Sequence, residues 1–547
     1  MSTVTALSAP ARAGAGAAFA IEAHDLVKTY PKGVRALDGL SFAVPAGTVF
    51  ALLGPNGAGK STTVKILTTL AQADSGTAMV AGLDVRAKAA RVRHLIGVVA
   101  QLSGADPVAT GRENVMLSGR IQGLRGRDLA RRTDELLGRF GLADAAGRRV
   151  RTYSGGMRRR LDVAMGLINR PQVLFLDEPT AGLDPESRSA MWQEIGRLAA
   201  AEGLTILLTT HYLEEADHLA SQVAIADRGR VVTAGTPDEL KGELHGDAAS
   251  RPGQRRGPAS HPAGLRASGT TMRGAGSRAF GTTSREGGNV LSIAAHTTWM
   301  TGRQLRAIAR QPAYLVIMLI QPVIWLFLFG SLFRKVVELP GFGSPSYLDY
   351  LVPGVVIMSA LSASMWSGMT VLEEIDRGIM DRFLVLPLHR SAIINASAAL
   401  QALTIAVQSV IIVLLGWAGG AHYAGGVAGL VVLIATAVLV AIVFSAFSNT
   451  VGMLARQRET IIGINSFLLL PLTFLSTAFM AESLMPHWMR VVANCNPVNW
   501  ALEAGRSAMS ANPDWARVAV QGGGLAALAI AVTALSVLMF RAYQKSV

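Results

Sequence analysis

Hydrophobic and polar positions follow two regimes along the chain. Up to about Leu244 apolar residues come in short runs between charged stretches, whereas beyond about Gln311 they come in runs long enough to cross a bilayer. In the first regime Ile21–Ser41 alternates as strands do, Val49–Leu53 reads as a short strand, and a helix-compatible segment opens at Ser61. Further strands are expected at Gly97–Gln101, Val173–Asp177 and Thr205–Thr210, with an Arg-rich helix following Arg151–Met157. The second regime predicts six spans, at about Gln311–Phe333, Tyr350–Leu372, Ala392–Trp417, Val427–Phe447, Ile461–Met480 and Val518–Phe540. Ahead of them Ile293–Arg310 mixes apolar residues with Arg303, Arg306 and Arg310 and reads as an amphipathic helix lying at a membrane interface. Between the regimes Gly246–Asn289 is rich in Gly, Ser, Ala, Pro and Arg without periodicity and is expected to be disordered. As a flexible coil of about 45 residues it would span roughly 35–40 Å, enough for a tether.

Composition refines this division. A chain of 547 residues is long enough for several domains, and its net charge of +14 raises the question of nucleic acid. Much of the arginine lies in the linker and beside apolar spans, where it marks cytoplasmic loops and anionic lipid, so membrane lipid is the expected partner and nucleic acid is not. Six spans place both ends on one side. Arg303, Arg306, Arg310, Arg377, Arg382, Arg390, Arg456, Arg458, Arg541 and Lys545 then share that side, which the positive-inside rule makes cytoplasmic; Arg334 and Lys335 are the exception. Cys495 is the sole cysteine, so neither an intrachain disulfide nor a cysteine metal cluster can form. Met1–Ala20 lacks a basic start and a sustained apolar stretch, and is expected to be a disordered tail rather than a secretory signal.

The chemistry is concentrated in the first regime. Gly54, Pro55, Asn56, Gly57, Ala58, Gly59, Lys60 and Ser61, followed by Thr62, fit G-x-x-x-x-G-K-[ST] between a strand and a helix. Such a loop turns backbone N–H groups toward one anion, while Lys60 can reach the outer phosphates and Ser61 can ligate Mg²⁺. Ser154-Gly155-Gly156 at a helix start forms a second phosphate cradle. Asp177 and Glu178 end a strand, an arrangement suited to Mg²⁺ coordination by the first and polarisation of a water by the second. Three residues allow two readings each. Tyr30 could stack on adenine or edge a strand, Gln101 could reach metal or water or be a plain strand-end amide, and His211 could touch a γ-phosphate or be structural.

In this order and spacing the set resembles the nucleotide-binding domain of ABC transporters, over about Ile21–Leu244. The resemblance implies a P-loop α/β fold, with a RecA-like core and a helical subdomain, that binds ATP and Mg²⁺. It makes Tyr30 the adenine-stacking aromatic, Gly54–Ser61 the Walker A loop, Gln101 the Q-loop, and Ser154–Met157 the signature. Asp177 and Glu178 become the Walker B acid and catalytic glutamate, Asp184 belongs to the D-loop, and His211 is the switch histidine. Tyr153 departs from the family, which usually has Leu before Ser-Gly-Gly; the phosphate-facing donors are unaffected, so activity is expected to survive.

Between the second and third spans Glu373, Arg377, Gly378 and Arg382 follow E-x-x-x-R-G-x-x-x-R, which resembles the cytoplasmic coupling segment of ABC-2 type permeases, although a solvated loop would also carry such charges. Asn496–Arg506 resembles that family's external segment, and the combined order resembles daunorubicin/doxorubicin-resistance-type exporters fused into one chain. The implied organisation is a tail (1–20), an ATPase domain (21–245), a basic linker (246–290) and an all-α six-span permease (291–547), working as a homodimer in the cytoplasmic membrane with the ATPase domain and both termini inside. The expected activity is ATP-driven export of a hydrophobic or amphipathic small molecule. Export of a lipid, a lipid-linked polysaccharide or sodium, and a regulatory membrane-anchored ATPase, are the rival readings. Trp325, Phe327, Phe329, Met365, Trp366 and Met369 could line a drug pocket, but lipid or helix packing is the simpler expectation.

Overall fold

Apolar strands without polar alternation must be covered on both faces, and the ATPase half is built accordingly. The computed structural model describes residues 19–242, 287–339, 342 and 346–546. Strands β1 (Phe19–Tyr30), β2 (Val34–Pro45), β4 (Ser75–Val80) and β5 (Leu83–Asp84) form an antiparallel sheet in the order β2-β1-β4-β5. The central sheet has the order β10-β9-β3-β8-β7-β6, from β3 (Val49–Leu53), β6 (Ile96–Val99), β7 (Val173–Asp177), β8 (Thr205–Thr210), β9 (Gln222–Asp227) and β10 (Arg230–Gly235). All its pairings are parallel except β10 with β9. Strands β3, β7 and β8 are buried along their whole length. Alternate residues serve two cores, with Ala51, Leu174 and Leu208 on one face and Leu52, Phe175 and Leu207 on the other.

Helix α1 (Lys60–Leu67) follows β3, and α2 (Ala89–Leu95) precedes β6. Helices α3 (Gly111–Ile121), α4 (Gly126–Arg139) and α5 (Gly155–Gly166) lie between β6 and β7 in sequence, α6 (Pro185–Glu202) joins β7 to β8, and α7 (Leu213–Leu219) follows β8. Helix α3 starts with a capping box of Thr110 and Glu113. The α/β class expected from sequence is therefore observed. Two boundaries move: Phe19 and Ala20, expected in the tail, already belong to β1, and Gly287–Val290, expected in the linker, begin a helix. The rest of the expected tail and linker lies outside the described residues.

The second half is helical: α8 (Gly287–Ala309), α9 (Pro312–Ile324), α10 (Tyr347–Met365), α11 (Ser367–Asp376), α12 (Ile379–Val385), α13 (Arg390–Ala418), α14 (Gly426–Ala455), α15 (Arg458–Phe474), α16 (His487–Cys495), α17 (Pro497–Met509) and α18 (Trp515–Ser546). Among the described residues four stretches are long and apolar enough to cross a membrane, Tyr347–Asp376, Arg390–Ala418, Gly426–Ala455 and Trp515–Phe540, where six were expected. The first expected span is a shorter apolar helix, Val316–Leu332, with Pro322 inside it and a π-helical turn at Trp325–Phe329. The fifth stops at Phe474, shortly after Pro471. Its expected continuation is non-helical because side chains from α16–α17 take over its backbone: Asn496 Nδ2 donates to Leu472 O and Leu475 O at 2.8 and 2.9 Å, and Arg506 Nη1 to Thr477 O at 2.6 Å. Irregular backbone of this kind is tolerated at membrane depth when it is buried in protein, and Ala478 is fully buried.

Helix α14 is the centre of this bundle, packing on α10, α13, α17 and α18. Small residues let the backbones meet: a Cβ on Gly429 would lie 2.4 Å from Ala508 O, and one on Gly354 2.6 Å from Ala478 O.

Candidate functional site: a phosphate loop and the groove behind it

The loop between β3 and α1 is shaped by backbone that only glycine tolerates. Gly57 and Gly59 have φ of 84° and 98°, and a Cβ on Gly59 would sit 2.6 Å from Leu37 Cδ2, while the Gly57 position is open. Lys60 is buried and donates to Gly54 O at 2.7 Å and Pro55 O at 3.0 Å, which bends the loop around its own ammonium. Parallel pairing of β3, β8 and β7 brings the next groups together. Ser61 Oγ donates to Asp177 Oδ1 at 3.3 Å, and Thr209 Oγ1 donates to the same oxygen at 2.5 Å. Burial pushes the Asp177 carboxyl up, while the hydrogen bonds from Thr209 and Ser61 oppose that push.

Glu178 follows with φ of 47°, a left-handed conformation unusual for a residue with a side chain, and its N–H donates to Thr209 O at 3.1 Å. Its carboxylate is the meeting point of the site. Gln101 Nε2 donates to Oε2 at 3.1 Å, His211 Nδ1 lies 3.4 Å from Oε1, and Lys60 Nζ is 4.0 Å away. The donor set fits both groups the sequence implies. Loop amides and Lys60 suit an anion, and Ser61 Oγ, an Asp177 oxygen and the amide oxygen of Gln101 are the hard ligands Mg²⁺ prefers.

Other expected site residues lie elsewhere. Ser154 caps α5, accepting from Met157 N at 3.2 Å, and Gly156 packs so closely on α6 that a Cβ would lie 2.8 Å from Ser187 Oγ. Asp184 caps α6, accepting from Ser187 N at 2.9 Å, so the two caps are neighbours through Ser187. Tyr30 ends β1 with the Lys28 ammonium 5.6 Å from its ring centroid. The unusual Tyr153 is buried and donates to Ala145 O at 2.6 Å, its hydroxyl filling the space above Gly111.

Sequence reasoning missed Arg159. Its guanidinium donates to Pro179 O at 2.8 Å, Ala100 O at 2.5 Å, Asp177 O at 2.8 Å and Glu178 O at 3.0 Å, tying α5 to the ends of two strands. Nothing in the sequence sets Arg159 apart from its neighbours Arg158 and Arg160, since only the fold decides which of the three meets these carbonyls.

Behind this site the helical half docks onto the ATPase half. Arg382 on α12 donates to Gly104 O at 2.9 Å, Asn114 Oδ1 at 3.0 Å and Asn114 O at 2.8 Å, and also to Ser118 Oγ. Gly378, with φ of 71°, fits against Leu102, where a Cβ would lie 2.9 Å from Leu102 Cβ. Glu373 and Arg377 pair with each other at 2.5 Å on the exposed side. Of the expected coupling residues, then, Gly378 and Arg382 meet the ATPase half. The arginines of helix α8, and Arg310 just after it, meet carboxylates of the protein. Arg303 pairs with Asp106 at 3.3 Å and with Glu374, and Arg310 makes two 2.7 Å bonds to Glu113.

The family model described as ABC transporter matches residues 37–181, and the one described as ABC-2 type transporter matches residues 295–510. The daunorubicin/doxorubicin resistance ATP-binding protein DrrA of Streptomyces peucetius is 52% identical over 225 residues, covering 41% of this chain and 68% of its own. The chain belongs to the ABC transporter family. Other ABC relatives include the doxorubicin resistance ATP-binding protein DrrA of Mycobacterium tuberculosis, 49% identical over 224 residues (41% of this chain, 67% of that protein). The Nod factor export ATP-binding protein I of Ralstonia nicotianae is 43% identical over 231 residues (42% and 71%). The protein thus joins an ATP-binding, ATP-hydrolysing ABC domain and an ABC-2 membrane domain in one chain.

In the membrane domain Trp325 stacks on Phe329 and Phe479, and with Gln321, Met358, Thr473 and Phe474 it lines a cavity of about 160 Å³. Met365 is buried in the bundle, and Phe327 and Trp366 are exposed on its surface, so the six residues weighed for a drug pocket do not converge.

Proposed function

We propose that this protein is a homodimeric half-transporter of the cytoplasmic membrane that uses ATP to export a hydrophobic or amphipathic small molecule of the antibiotic class. The observation that carries this reading is the pairing of an ATPase site and a membrane domain through Arg382 in one chain whose relatives are named for drug resistance. Gly54–Thr62 and Tyr30 hold ATP, with Ser61, Gln101 and Asp177 around Mg²⁺. Glu178 polarises the attacking water, and Gln101 and His211, both beside its carboxylate, orient it. Each chain carries one phosphate loop and one Ser154–Gly156 cap, with different neighbours. Two copies would complete each site, the loop of one subunit facing Ser154–Gly156 and Asp184 of the other.

Closure of the pair on ATP and opening after hydrolysis would then be passed through Gly378 and Arg382 to the spans, with Glu373 and Arg377 beside them, a two-state switch biased by nucleotide. An ATPase domain that begins by Phe19, a membrane domain whose first helix begins at Gly287, a linker between them, and the ATPase domain and both termini in the cytoplasm complete the reading. The likeness to Nod factor export proteins supports a second reading in which a lipid or lipid-linked glycan is exported by the same mechanism.

Reconstitution into liposomes with a panel of amphipathic drugs, measuring ATP turnover and transport together, tests the cargo. Stimulation by a drug is expected, and response to a lipid-linked glycan alone would favour the second reading. Glu178→Gln should retain ATP while turnover falls by roughly 100-fold or more, since it removes the group that acts on the water. Turnover at the wild-type rate would dismiss Glu178 from this role.

A further inference from the structure

Two arginines, the buried Arg159 and the half-buried Arg382, flank a single carboxylate: Asp162 follows Arg159 by one turn on α5, and Asp162 and Arg382 line the same cavity. Asp162 lies two turns into α5 and is buried; its Oδ1 accepts from Ser103 Oγ at 3.1 Å, and its Oδ2 is buried without a hydrogen-bond partner among the described residues. On one side Arg159 holds the carbonyls of Ala100, Asp177, Glu178 and Pro179, the backbone that presents Gln101 and Glu178. On the other side Arg382 from α12 holds Gly104, Asn114 and Ser118. A cavity of about 50 Å³, lined by Asp162, Arg382, Asp381, Ser118, Gln122 and Asn169 among others, separates the carboxylate from the coupling helix.

The charges agree with the geometry. Burial depresses the pKa of both arginines, and Asp162 is the largest favourable charge acting on each; Asp106 also favours Arg382, while Arg303 opposes it. Burial in turn pushes Asp162 up to about 6, against the pull of Arg159, Arg382 and Arg158 and the bond from Ser103. Neither guanidinium is hydrogen-bonded to the carboxylate it depends on. Asp162 is held on one oxygen by the segment that follows Gln101, and no hydrogen bond among the described residues fixes the other. A shift of the strand ends that displaces Arg159 changes how strongly Asp162 is drawn to Arg382.

We propose that Asp162 is a positioning residue that links the state of the nucleotide site to the coupling helix α12, by sharing its charge between Arg159 and Arg382. The inference rests on the reading that Glu178 drives hydrolysis and that α12 passes motion to the spans.

The test uses the full chain in lipid nanodiscs in the Glu178→Gln background, with fluorescent-nucleotide titration for ATP affinity and hydrogen exchange of Ile379–Val385 with and without Mg-ATP. Glu178→Gln alone should bind ATP and change exchange in that segment. Adding Asp162→Asn should keep ATP affinity within about threefold while reducing the nucleotide-dependent change to less than about a third. Asp162→Glu, whose extra methylene the cavity accepts, should restore the change, and Arg382→Gln should reproduce the loss, with no further loss when combined with Asp162→Asn. A full response in Asp162→Asn, or equal loss in the Asn and Glu variants, would overturn the proposal in favour of simple packing. A Glu178→Gln protein that binds ATP without any response at Ile379–Val385 would overturn the coupling reading and this inference with it.

Discussion

Residues in this protein act by how many backbone groups they reach. Arg159 satisfies four carbonyls from two strand ends and the residues after them, and its planar five-donor fork is the side chain suited to that work. Arg159→Lys keeps the charge but has three donors on one atom, so at least one buried carbonyl loses its partner, at about 1–3 kcal/mol each. Turnover is expected to fall by roughly tenfold or more with ATP affinity largely kept, because what is disturbed is the placement of Gln101 and Glu178 rather than the phosphate loop. A steady-state assay paired with nucleotide titration checks this; a parallel loss of affinity would place Arg159 in the binding of nucleotide instead. The Walker motif and the acid pair were legible in sequence because their spacing is local. The left-handed φ of Glu178 was not, since β8 holds that residue through Thr209 from a distant stretch of chain.

At the scale of elements, the break between α10 and α11 shows how a span is joined to the segment that touches the ATPase. The helix ends at Met365, whose carbonyl accepts from Ser448 Oγ and from Asn465 Nδ2, the latter at 2.5 Å, while Gly368 N donates to Ser448 Oγ at 3.0 Å. The polar groups freed by the break are thus recovered by α14 and α15. Gly368 makes this possible: a Cβ there would lie 2.2 Å from Ser448 O, and a Cβ on the facing Gly452 would lie 2.7 Å from Gly368 O. Gly368→Ala is expected to cost about 1–3 kcal/mol by overpacking and to lower the melting temperature of the detergent-purified protein. An unchanged melting temperature would mean the helices separate freely at this crossing. Hydropathy located the apolar segments but registers Ile461–Met480 as continuous, because it cannot see Asn496, Asn499 and Arg506 taking over the backbone after Phe474.

Across the whole molecule, charge joins the two halves. Arg306 of α8, Arg310 just after it and Arg382 of α12 bracket α3, and the capping glutamate of α3, Glu113, receives both Arg310 bonds. Arg310 is the main reason the Glu113 carboxyl is lowered to about 2. A depressed pKa contributes stability that is fully present above the ordinary glutamate value, about 4.3, and lost as pH falls toward the folded value. The Glu113–Arg310 share of the docking of α3, read as the difference in hydrogen exchange between the protein and its Glu113→Gln variant, should therefore be constant from neutral pH to about 5 and shrink between about 4 and 2, well below the range where Asp162, pushed up to about 6, changes charge. Glu113→Gln should loosen the helix at neutral pH and flatten that part of the profile, and an unchanged profile would show that Arg310 does not hold the halves together.

The amino-acid sequence alone determined the class of the ATPase domain, the residues proposed for its phosphate loop and acid pair, and the presence of a membrane domain. Those features are written in local spacing and in runs of hydrophobicity, which neighbouring residues express without help from the rest of the chain. Tertiary structure decided which charges meet. Arg303, Arg306 and Arg310 read as membrane-facing because an arginine beside an apolar stretch looks the same whether its partner is lipid phosphate or Asp106 and Glu113. Asp162 and Arg159 gave no signal for the same reason: a carboxylate and a guanidinium acquire their roles from the carbonyls and cavities that distant segments place around them.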